Sequence, residues 1–155
     1  MKSAYRVLAY LVALEVLVQA AAIAYAVAGL GTWIQSGGVL DKAAMESETT
    51  EFTGIGGFMV HGINGQMIVP LIALLLLIVS FFAKVRGGVQ LAAMVLGGVV
   101  VQVALGVFGH GLPVLGLIHG MLAIVIFWAA MVAARRVEST SETASGADRR
   151  AAGVS

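Results

Sequence analysis

The sequence predicts an all-α integral membrane protein, a four-helix bundle with both termini in the cytoplasm. Three observations carry that expectation. The 155 residues are 60% hydrophobic and 11% charged, against about 25% charged in soluble domains, and a soluble fold of this size could not bury so much apolar surface. Four runs, at 5–30, 58–83, 89–109 and 113–134, reach the ~20 mostly apolar residues that a membrane-crossing helix needs. The bases are distributed unevenly. Lys2, Arg6, Lys84, Arg86, Arg135, Arg136, Arg149 and Arg150 fall on one side of the four-span layout, and Lys42 alone falls on the other. Basic residues collect on the cytoplasmic side, so a four-span membrane domain over residues 1–136 is expected with N and C termini inside.

Each span must be helical, because backbone amides in hydrocarbon find no water to bond. The first run begins behind Lys2 and Arg6 and contains Glu15 and Gln19. Its length and these two polar residues set it apart from the short apolar core of a signal peptide, despite the cleavage-like "AYAVAG". The loop at 31–57 is long and acidic, with Asp41, Glu46, Glu48 and Glu51. The second run opens with "FMVHGINGQM", which holds His61, Asn64 and Gln66, and Pro70 is expected to kink it. "KVRGG" makes a short turn into the third run, and "GHGLP", with His110, a short turn into the fourth. Residues 137–155 are polar and small, the composition of a disordered tail. Tyr5, Trp33 and Trp128 lie near the expected interfaces, as aromatic anchors do.

The two halves echo each other. "VLVQAA" around Gln19 aligns with "VVVQVA" around Gln102, and His61-Gly62 aligns with His119-Gly120. The first and third runs point the same way, so the expected repeat is parallel, about an axis along the membrane normal. His61 and His119 then lie at similar depth, one to two turns inside their helices. If the second and fourth helices face each other across the bundle, both imidazoles point into one central space. That arrangement suits bis-histidine ligation of haem b, since haem iron takes neutral imidazole and bundle cores hold cofactors. Gly65 beside His61 and Gly120 beside His119 are expected to leave room for a porphyrin. Gln102 is expected to bond a propionate or orient an imidazole.

Within 102–131, "QVALGVFGHGLPVLGLIHGMLAIVIFWAAM" resembles the third and fourth helices of one half of the haem A synthase family. That resemblance implies two four-helix halves, each with a histidine pair on its second and fourth helices; His61 and His119 would be the pair here. The chain has four spans where that family has eight. Phe58 stands where the family's catalytic half places a Glu three residues before the first His, and Gly62 stands where a basic residue often follows it. The hydroxylating chemistry is therefore not carried over, and no catalytic residue is assigned. The chain also resembles small bacterial four-helix membrane proteins of unknown function, which implies a fold and nothing about activity; the expected location is the inner membrane of a bacterium.

Several function classes are excluded. With no cysteine there is no disulfide, thiolate metal site or covalent haem attachment, and no phosphate loop or nucleophile motif is present. Nucleic acid is not an expected partner; lipid is, with a membrane redox partner or a second copy beside it. Three readings stay open. One is a haem b bundle for electron transfer or haem handling. Another is a cofactor-free accessory protein whose His, Gln and Gly join helices. The third is a small proton-linked transporter built around Glu15.

Overall fold

A computed structural model of the chain is all-helical, with no strand among the described residues. It describes the backbone of residues 1–47 and 49–152, and the side chains of 1–47, 49–109 and 111–137. Helix α1 is Lys2–Gln35, α2 Lys42–Glu46, α3 Gly56–Ile63, α4 Val69–Ala83, α5 Gly88–Phe108 and α6 Pro113–Ala152. A π-helical segment, Asn64–Ile68, joins α3 to α4 without a break, and a 3-10 turn, Gly109–Gly111, precedes α6. Four helices are long and apolar enough to cross a membrane: Lys2–Gln35, Gly56–Ala83, Gly88–Phe108 and Pro113–Val137. They match the four runs read from the sequence.

The chain divides into two compact units. The larger comprises Met1–Val16 and Ile68–Ser155. Its core is built from small residues: Ala9, Ala73, Ala92, Ala130, Ala133 and Ala134 are completely buried, packed with Tyr5, Val12, Leu76 and Val95. Small side chains let helices approach closely, and van der Waals packing is what holds helices together in lipid. The large apolar residues point outward instead; Phe81, Phe82, Met94, Ile124 and Trp128 are all more than 60% exposed. This is the arrangement that a lipid solvent permits.

One end of this unit is tied by polar contacts. The turn between α4 and α5 begins at Lys84 in the left-handed region (φ 52°) and ends at Gly87 (φ 70°). The buried Tyr5 hydroxyl on α1 donates to the Gly88 carbonyl at 3.1 Å, and Arg136 on α6 reaches the Arg86 carbonyl at 3.5 Å. Arg86 and Arg136 thus stand at the same end of this unit.

The smaller unit is Leu17–Met67. Here the loop lies directly on helix backbone. A side chain at Gly29 would overlap the Thr53 carbonyl oxygen, and one at Gly57 would overlap the Ala22 carbonyl oxygen. Asp41 caps α2 by accepting from the Ala44 amide at 2.8 Å. Trp33 stacks on Phe52 (centroids 5.8 Å), and Phe52 meets Phe58 edge-on (6.4 Å).

Helix α6 runs on to Ala152, into the stretch read as a tail; Glu, Ala and Arg are good helix formers and no proline intervenes. Pro70 stands just after a π segment. Proline lacks an amide donor and crowds the carbonyl four residues back, and the π segment ending at Ile68 widens the turn just before it.

Candidate functional site: two glutamine–histidine pairs

Gln19 and Gln102 sit mid-helix in apolar runs, where a side-chain amide must find partners or remain costly. Each finds a histidine on the following membrane-crossing helix. In the larger unit, the Gln102 amide nitrogen donates to the His119 carbonyl at 2.9 Å, and His119 Nδ1 lies 3.1 Å from the Gln102 carbonyl. In the smaller unit, His61 Nδ1 lies 3.1 Å from the Gln19 carbonyl. The Gln19 amide satisfies its surroundings with its nitrogen 2.9 Å from the His61 carbonyl. Both pairs therefore make the same two-way link between side chain and backbone, at the same distances.

The link selects a tautomer. A backbone carbonyl only accepts, so Nδ1 carries the ring proton and donates. We assign that tautomer to both rings. In the first pair the Gln19 nitrogen also stands 2.9 Å from Nδ1; one of its two N–H groups goes to the His61 carbonyl, and the Nδ1–H assignment of this ring follows that of the second pair. Nε2 then holds the lone pair. This is the form in which imidazole binds a metal, with Nδ1–H held by a carbonyl, and equally the form that accepts a hydrogen bond. Each ring is half-buried.

The pairs differ in what completes them. Gln19 Oε1 accepts from Asn64 Nδ2 and from the Gly65 amide, both at 3.1 Å. Those donors come from the π segment, where the change of helix pitch diverts an amide from its usual carbonyl. The residues in register with Asn64 and Gly65 are Leu122 and Ala123, on regular helix. Its Oε1 is buried with no partner.

The predicted residues fall out as follows. Gly65 does not leave porphyrin space, because the Gln19 side chain fills it, 3.1 Å from where a Cβ would stand. Gly120 and Gly116 do face open space, with no atom within 4 Å of a Cβ. Gly106 lies beside the His119 ring: a Cβ there would stand 3.4 Å from Cε1. Gln102 orients His119 through its backbone carbonyl, and its amide nitrogen gives one N–H to the His119 carbonyl. Asn64 is half-buried, Gln66 exposed, and Glu15 half-buried one helical turn before Gln19. The His110 side chain lies outside the described residues, as does Glu48. No group of three or more His, Asp or Glu able to hold a metal ion occurs among the described residues.

The reciprocal bonds could have been anticipated only from the matched Gln and His spacing; the π segment had Pro70 as its one signal. No protein-family model, curated protein or solved structure matches this chain, so its residues and their geometry carry the functional reading.

Proposed function

We propose that this chain is a multi-pass protein of a bacterial cytoplasmic membrane, with both termini inside, whose His61 and His119 ligate haem b through Nε2. The observation that carries the reading is the shared approach of each Nδ1 to a backbone carbonyl, that of Gln19 or Gln102, from which we assign the Nδ1–H tautomer. The residues fit such a group by chemistry: neutral imidazoles with Nε2 lone pairs, and open glycine faces at Gly116 and Gly120. Bound haem would supply a one-electron iron couple. The chain's own contribution is to hold each ring's proton and orientation. With Phe58 in place of an acid, electron transfer or haem handling fits better than substrate oxidation. The inward orientation is supported by Arg86 and Arg136 gathering at one end of the larger unit.

An internal repeat is part of the same proposal. Ala9 and Ala92, Val12 and Val95, and Gln19 and Gln102 stand 83 residues apart, and both apolar pairs are buried. Tyr5 and Gly88, bonded to each other, keep that spacing. His61 and His119 are 58 apart. Beyond them the spacing is 57: Val69 with Ile126, Ala73 with Ala130, Leu76 with Ala133, all buried. The π segment is thus one inserted residue, as π-bulges generally are.

A second reading, a cofactor-free accessory protein, draws on the same bonds, which join neighbouring helices without any ligand. A reduced-minus-oxidised visible spectrum of the detergent-purified protein, with a pyridine haemochrome assay, separates the two. Haem bands that weaken in both His61→Ala and His119→Ala are the expected result. A colourless protein from haem-sufficient cells, still colourless after haem addition, would leave the accessory reading.

A further inference from the structure

The smaller unit contains two adjoining cavities that the histidine pairs do not use. One, of about 370 Å³, is apolar, walled chiefly by Leu30, Leu40, Met45, Ile55 and Phe58. The other, of about 240 Å³, is lined by Thr32, Trp33, Ser36 and Thr53. Phe52 lines both, between Trp33 on one side and Phe58 on the other. The larger alone falls in the ~300–1,000 Å³ range of small-molecule sites. Leu30 and Phe58 belong to the ends of the first two membrane-crossing helices, so the apolar cavity is within reach of lipid.

We infer that these cavities bind a hydroquinone with an isoprenoid tail: ring in the smaller cavity, beside its hydroxyls, and tail in the larger one. Three observations select that class among membrane amphiphiles. Two aromatic residues line the ring cavity, Trp33 and Phe52, stacked on each other at an interplanar angle of 29°. Two of its three hydroxyls are spent as donors: Thr32 Oγ1 donates to the Ala28 carbonyl at 3.1 Å and Ser36 Oγ to the Trp33 carbonyl at 2.8 Å. What they offer outward is lone pairs, which accept from the O–H groups of a quinol and offer nothing to a quinone carbonyl. Charge disfavours phospholipid. The loop carries Asp41, Glu46, Glu48 and Glu51, and its one base, Lys42, pairs with Glu46 at 3.7 Å. A phosphate would meet repulsion and no cation, whereas a neutral quinol meets neither. The site stands whether or not haem is bound elsewhere.

Trp33 reports on it. Trp128→Phe leaves Trp33 as the only tryptophan. This variant, in nanodiscs of phosphatidylcholine, is titrated anaerobically with a decyl-chained benzoquinol while Trp33 emission is followed. Saturable quenching is expected, with affinity about tenfold or more above that for the oxidised quinone. Ala44→Phe, which fills the tail cavity but spares the Trp33–Phe52 stack, should weaken binding about tenfold, and Phe52→Ala at least as much. If Phe52→Ala fails to fold, Ala44→Phe decides. Quenching that rises linearly without saturation would overturn the site. So would unchanged affinity in Ala44→Phe. Equal binding of the quinone, or equal displacement by dioleoylglycerol, would overturn the assignment to a quinol.

Discussion

Gln19 and Gln102 occupy matching places and meet different ends. Gln19 has partners for both amide atoms, whereas Gln102 has a donor committed and an acceptor stranded. Hydrogen bonds between membrane helices average about 0.6 kcal/mol. Gln19→Met removes three of them and should cost about 1–2 kcal/mol. Gln102→Met removes one, but also an unsatisfied buried acceptor, which is itself costly; its net cost should be under about 0.5 kcal/mol. Unfolding in mixed micelles with rising SDS measures both. Equal losses would show that the orphaned Oε1 has a partner in solution and that the two pairs are alike.

At the level of elements, the π segment explains how one helix satisfies two constraints. His61 must meet Gln19, while Val69, Ala73, Leu76 and Ser80 must face a core. From His119, the corresponding core residues Ile126, Ala130, Ala133 and Val137 arrive one residue sooner. Deleting Met67 should convert the π turn to ordinary helix and leave a folded protein. Deleting Leu75 should not, because each residue is ~100° of helix rotation and Leu76, Ser80 and Ala83 would swing off the core. Thermal unfolding and trypsin resistance distinguish these outcomes; equal damage from both deletions would count against the inserted-residue account. The loop has its own anchor at Gly29. Gly29→Val drives a branched side chain into the Thr53 carbonyl, so cleavage after Lys42 by trypsin added outside the membrane should quicken at least severalfold. Unchanged cleavage would mean that the loop docks without this contact.

For the molecule as a whole, orientation is the property most directly tested. The chain has no cysteine, so single cysteines report alone. Thr49→Cys should react with a membrane-impermeant maleimide in intact cells, and Ser3→Cys only after the membrane is opened. The reverse pattern would mean that Arg86 and Arg136 lie outside, against the usual charge rule. The outward-facing Phe81, Phe82 and Ile124 also require a lipid-like solvent, so the protein should precipitate when detergent is removed without added lipid.

The sequence by itself determined the four membrane-crossing helices, because length and hydropathy set them residue by residue, and it singled out Gln19, His61, Gln102 and His119, because polar groups stand out in apolar runs. It could not show that each Gln–His pair bonds in both directions, since a tautomer depends on which carbonyl lies opposite the ring. It misjudged Gly65, whose space is filled by a side chain distant in sequence, and it gave no sign that Gly29 and Gly57 receive backbone from elsewhere in the chain. The π turn was decided in three dimensions too. One extra residue is indistinguishable from helix until the hydrogen-bond partners on the neighbouring helix are known.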